Sequence, residues 1–142
     1  MSKGSILIVD DDAGVRDIMS DVLAYEGYEV QTAWNGLEGL CKLRRGYSLQ
    51  DLIVLDVTMP VMDGVAFRRT QLRDPVLSRI PVVVASAVVP VHALAGTRQL
   101  QKPFGIGELL VAIAEELGEL EAPGPRARRR EATTWRLSSR CS

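Results

Sequence analysis

Cysteine is scarce in this chain, histidine scarcer, and no long apolar run occurs anywhere in its 142 residues. Each absence removes a class of function. Cys41 and Cys141 lie far apart, with neither metal-ligand spacing nor a disulfide framework. That usage suits a reducing cytoplasm, and Cys41 reads as a small buried hydrophobe. No apolar stretch approaches the roughly 20 residues that span a bilayer. Met1-Ser2-Lys3 leads straight into a strand-like run, so no signal peptide is expected. His92 is the single histidine and reads as a surface residue. The remainder, 46% hydrophobic and 25% charged, is the composition of one ordinary soluble domain with a sizeable core.

The net charge of −1 hides an asymmetry. Residues 1–122 carry 11 Lys and Arg against 17 Asp and Glu, whereas residues 123–142 carry six Arg and one Glu. The composition shifts at Ala122-Pro123-Gly124-Pro125. Residues 1–122 are therefore expected to form the folded domain, with 123–142 a basic, disordered tail. Its arginines and Trp135 suit a solvated extension, nucleic acid, an acidic partner, an anionic membrane surface or the acidic domain itself. The segment is too short for a DNA-binding output domain and shows no helix-turn-helix pattern.

Four strand-like runs end on polar groups. Ser5-Ile6-Leu7-Ile8-Val9 runs into Asp10-Asp11-Asp12, and Leu52-Ile53-Val54-Leu55 into Asp56. Pro81-Val82-Val83-Val84-Ala85 ends on Ser86-Ala87, and Arg98-Gln99-Leu100-Gln101 on Lys102-Pro103-Phe104. Runs apolar on successive residues belong to strands buried on both faces, as in a parallel sheet covered by helices. Open α/β sheets keep their ligands at the C-terminal strand edge. If the strands are parallel, the three carboxylates of residues 10–12, that of Asp56, a hydroxyl and an ammonium meet there.

Helical patterns alternate with these runs. Val15, Ile18, Met19, Val22 and Leu23 recur at helical spacing after Asp12, a natural N-cap, until Gly27. Residues 28–33 alternate like a strand. Asn35-Gly36 opens a second helix with Leu37, Leu40, Cys41 and Leu43 inward. A third is expected over residues 65–73, after Asp63-Gly64 as turn or cap and before Asp74-Pro75. The last carries Ile106, Leu109, Leu110, Ile113 and Leu117 as one apolar stripe. With right-handed crossovers this order predicts an α/β, flavodoxin-like, doubly wound five-stranded parallel sheet of order 2-1-3-4-5. Only residues 87–97 connect strands four and five, so the fourth helix is expected to be shortened or irregular.

Asp10-Asp11, Asp56, Ser86-Ala87 and Lys102-Pro103-Phe104, with the Met59-Pro60-Val61-Met62-Asp63-Gly64 loop, resemble the receiver domain of two-component response regulators. The resemblance covers about residues 4–120 and implies a phosphorelay signalling module, a phosphoacceptor more than an enzyme. It implies that Asp10 and Asp11 hold Mg²⁺, that Asp56 joins them and takes the phosphoryl group, and that the Thr58 backbone carbonyl is a further ligand. Lys102 would contact phosphoryl oxygens, Ser86 would give them a hydrogen bond, and small Ala87 would leave room. These roles suit the residue types, since Mg²⁺ prefers a few carboxylates and phosphoryl transfer needs positioning and charge neutralisation. The implied partners are a histidine kinase or phosphotransfer protein and a downstream protein target, in the cytoplasm. With no kinase phosphoacceptor helix and no ATP-binding Gly-rich motif, the phosphoryl group must come from outside. Gly105-Ile106-Gly107 reads as a helix entry.

Gln99 stands where most receivers carry the aromatic residue of the switch, and the fourth crossover is cut short. These departures keep a second reading open, a degenerate receiver serving as a docking or dimerisation module. A third, a haloacid-dehalogenase-like phosphatase, needs a second Asp where this chain has Thr58.

Overall fold

The computed structural model describes residues 2–46 and 49–119; the basic segment 123–142 and the domain boundary at 122 lie outside the described residues. Five strands, β1 (Ser5–Val9), β2 (Glu29–Ala33), β3 (Leu52–Asp56), β4 (Val82–Ser86) and β5 (Arg98–Gln101), form one sheet of order β2-β1-β3-β4-β5. Every neighbouring pair is parallel. Helices α1 (Ala13–Tyr25), α2 (Gly36–Arg45), α3 (Gly64–Leu72) and α4 (Ile106–Glu116) cover both faces. The doubly wound fold and its strand order are those the sequence predicts.

The period-2 alternation of the central strands builds two cores. Leu7, Val9, Ile53, Leu55, Val82 and Val84 pack with Leu40 and Leu43 of α2 and Phe67 of α3. Ile6, Ile8, Leu52, Val54 and Val83 pack with Met19 and Leu23 of α1 and with Leu109, Ala112 and Ile113 of α4. All five residues of β3 and of β4 are buried, as expected of strands covered on both faces. Caps hold the helix starts: Asp12 accepts from the Val15 N–H, Asn35 from Glu38 N–H and Asp63 from Ala66 N–H. Among the described residues no helix is long and apolar enough to cross a membrane.

Three helix residues expected to face inward do not. Ile18 is 62% exposed, Leu37 49% and Ile106 52%, because each helix presents a narrower stripe to the sheet than its apolar positions suggest. Cys41 is half-buried instead of fully so. The β4–β5 connection carries no α-helix, only a 3₁₀ turn over His92–Leu94, with His92 exposed.

Candidate functional site

The alternation that points Ile6 and Ile8 toward α1 and α4 carries on to Asp10, and that of Leu52 and Val54 carries on to Asp56. Leu100 belongs to the same core, so Lys102 follows suit. Three strand ends thus deliver their charged side chains to one side of the sheet edge. The register brings them close, since Val9 pairs with Leu55 and Asp56 with Ala85.

Asp10, Asp11 and Asp56 each offer a carboxylate oxygen within 4.8 Å of the others. Asp10 and Asp56 are buried while Asp11 is exposed, so the cluster opens to solvent on one side. Lys102 Nζ donates to Asp10 Oδ2 at 2.9 Å and to Asp56 Oδ1 at 3.3 Å. Burial foremost, then the neighbouring Asp10 charge, pushes the Asp56 carboxyl up to about 6 against the pull of Lys102. Burial would lower the Lys102 ammonium, but its bonds and charge contacts with Asp10 and Asp56 outweigh that and raise it. One cation thus answers two carboxylates.

Backbone geometry holds the constellation in place. The Asp12 N–H donates to Asp10 Oδ1 at 2.9 Å, and Arg16 Nη1 to the Asp10 carbonyl at 2.8 Å. Gly64 donates its N–H to the Val57 carbonyl at 2.8 Å, and a Cβ there would collide with the Asp56 carbonyl. The loop between them holds Val61 at φ 69°, a left-handed conformation that costs a β-branched residue energy. Thr58 lies in this loop, exposed, two residues beyond Asp56. Ser86 ends β4, but its Oγ turns to its own chain, donating to the Val88 carbonyl at 2.9 Å and accepting from the Val88 N–H at 3.2 Å. Asp12 and Asp63 serve as helix caps, as expected.

The response regulator receiver domain model matches residues 6–114. The chain belongs to this family. This receiver is 38% identical over 135 residues to a protein-glutamate methylesterase/protein-glutamine glutaminase of Anaeromyxobacter dehalogenans, covering 88% of the chain and 37% of that protein. The chain spans about half the length of other curated relatives, such as the CpxR homolog of Haemophilus influenzae (35% identical, 87% of the chain and 53% of that protein). Sporulation initiation phosphotransferase F of Bacillus subtilis, 32% identical, is matched over 82% of this chain and 96% of its own. Among solved structures, a CheY-like receiver from Methanospirillum hungatei superposes with a TM-score of 0.72 at 29% identity, covering 87% of this chain and all of the other.

Within this receiver, Asp10, Asp11, Asp56 and Lys102 come together as the sequence predicts, whereas Ser86 stands at the same edge with its hydroxyl engaged elsewhere. Sequence reasoning missed two residues. Arg16 sits one helical turn beyond the Asp12 cap, and a cation at that spacing after an acidic strand end is the signal for it. Gln99 reads in the sequence only as a departure, whereas its carboxamide bonds to Val91 and Leu94. Nothing in the spacing of β5 announces them.

Proposed function

We propose that this receiver takes a phosphoryl group onto Asp56 in a Mg²⁺-dependent reaction, the donor being a histidine kinase or phosphotransfer protein in the cytoplasm. The observation that carries the reading is the convergence of three carboxylates at the C-terminal sheet edge, two of them bridged by Lys102. The donor set fits the ion: oxygen ligands only, with exposed Asp11 leaving room for water and phosphate oxygens. Asp10, Asp11, Asp56 and the Thr58 carbonyl would hold Mg²⁺, which supplies charge neutralisation for the phosphoryl oxygens. Related solved structures support this, among them the CheX–CheY–BeF₃–Mg²⁺ complex of Borrelia burgdorferi (TM-score 0.71, 26% identity, 80% of this chain and 88% of that one).

The chain's own residues then have defined tasks. An Asp56 carboxylate oxygen attacks phosphorus, the P–N bond to the donor imidazole breaks, and its electron pair stays on the imidazole. Asp56 becomes an acyl phosphate. Lys102, already bridging Asp10 and Asp56, neutralises the incoming oxygens. The Ser86 hydroxyl, once turned from Val88, donates to one of them, and Ala87 leaves space beside it.

A protein donor also needs a place to rest. Between α1 and α4 runs an apolar cleft of about 530 Å³, lined by Val15, Ile18, Met19, Phe104 and Ile106, with Lys102 on its wall. Because Lys102 also reaches Asp56, an apolar helix face of the donor lying there would bring its phosphohistidine to the carboxylate. The large exposure of Ile18 and Ile106 fits this use.

Titration with beryllofluoride and Mg²⁺ tests the reading. Wild type should bind in a Mg²⁺-dependent way and Asp56→Asn should not. Binding retained in Asp56→Asn removes Asp56 from the role, and failure of the wild type to bind favours a docking module. Steady turnover of phosphate esters would point to a phosphatase.

A further inference from the structure

The β4–β5 connection is tied down by Ser86, by a long bond from Gln101 Nε2 to the Ala87 carbonyl at 3.2 Å, and by Gln99, and the ties at Ser86 and Gln99 differ in kind. At its start, the Ser86 hydroxyl donates to the Val88 carbonyl. A hydroxyl has one proton to give, so donating to a phosphoryl oxygen on Asp56 releases that carbonyl. The tie at Ser86 is therefore sensitive to the site.

The tie at Gln99 is not. Gln99 Oε1 accepts the Val91 N–H at 2.7 Å, while Nε2 donates to the Val91 and Leu94 carbonyls, each at 3.1 Å. One N–H and two carbonyls fix the orientation of the amide without ambiguity. Thr97 Oγ1 adds a bond to the Leu94 carbonyl at 2.7 Å. The Leu94 side chain is 1% exposed within the core beneath α2 and α3, with Val91 packed against it. Gln99 stands on β5 opposite Val84, in the middle of the sheet ladder. The connection thus divides between residues 90 and 91. Residues 91–97 are bonded and plugged, whereas Ala87, held by one exposed bond from Gln101, and Val88 are exposed, Val88 by 71%.

We propose that Gln99 confines the phosphorylation-dependent movement of this crossover to residues 87–90, so that a partner telling the two forms apart at this edge reads the Val88 tip beside the pocket. The proposal rests on Asp56 being the phosphoacceptor. Gln99 is a positioning residue, acting through Val91 and Leu94 and touching no reacting atom. In place of an aromatic ring that moves, this chain carries an amide that holds.

Amide exchange and ¹⁵N chemical shifts of the full chain, with and without Mg²⁺ and beryllofluoride, test it. The expected result is a change at Asp10, Asp11, Asp56 and residues 87–89, Pro90 having no N–H, with Val91 to Thr97 unchanged. In Gln99→Ala, Val91 amide exchange should rise about tenfold even without beryllofluoride, the effect of losing about one net hydrogen bond. The beryllofluoride response should then spread into residues 91–97. Gln99→Glu, which keeps the size and the Val91 N–H acceptor, should leave the Val91 N–H protected while the Val91 and Leu94 carbonyls lose the Gln99 donor, Leu94 keeping that of Thr97. Wild-type changes as large in 91–97 as in 87–89, or unaltered Val91 exchange in Gln99→Ala, would overturn the proposal alone. No Mg²⁺-dependent change at the three aspartates would overturn the phosphoacceptor reading, and this proposal with it.

Discussion

Replacing Asp56 by Asn should stabilise the protein, and by an amount that depends on pH. Burial and Asp10 raise the Asp56 carboxyl from 3.8 to about 6. A carboxyl raised on folding contributes stability that is present below its unfolded pKa and lost as pH rises through the folded one. Here that window is pH 4 to 7. At about 1.36 kcal/mol for each tenfold change in proton affinity, the rise from 3.8 to about 6 is worth about 3 kcal/mol. Asparagine fills the same space without the charge, so it does not incur this loss. The variant should match wild type near pH 4 and exceed it by about 2–3 kcal/mol at pH 8, or about 10 °C in Tm for a domain of this size. Urea denaturation in EDTA at a series of pH values measures the gap directly. Adding Mg²⁺ at pH 8 should narrow it, because a cation bound to the native state stabilises wild type preferentially. A gap that does not vary with pH, or a variant less stable than wild type at pH 8, would refute the reasoning.

Other perturbations read other parts of the account. Gly64→Ala places a methyl against the Asp56 carbonyl and Val57 Cα, so it should cost about 1–3 kcal/mol and depress Asp56 phosphorylation; calorimetry and phosphorylation assays check both. Val61→Asn, which tolerates the left-handed backbone at φ 69°, should stabilise by about 1 kcal/mol in urea denaturation. Ile18→Glu should leave phosphorylation by acetyl phosphate intact and slow transfer from a protein donor at least severalfold, since Ile18 lines the cleft and not the pocket. Equal effects on both donors would remove the cleft from the docking role.

Much of this was legible in the sequence because the physics is local to the strands. A run such as Leu52–Asp56 states its own burial, and four such runs ending in Asp, Asp, Ser and Lys specify one edge once parallel pairing is assumed. What could not be read depends on packing between elements. Ile18 and Ile106 have the spacing of core residues, and only the gap left between α1 and α4 turns them outward. The Ser86 hydroxyl sits where the strand end predicts, yet its rotamer serves Val88. Gln99 is the clearest instance. As a residue type it marks only a missing aromatic, and its role emerges when a crossover too short for a helix needs three hydrogen bonds from a neighbouring strand. Arg16 likewise becomes meaningful once α1 starts directly over the end of β1.

The central claim is that Asp56 is the residue that takes the phosphoryl group. The most direct measurement is to incubate the full chain with acetyl phosphate and Mg²⁺, reduce the product with borohydride, and map the peptides by mass spectrometry. The account predicts a Mg²⁺-dependent conversion at Asp56 alone, absent in EDTA and in Asp56→Asn. Conversion at Asp10, Asp11 or elsewhere with Asp56 untouched would contradict it.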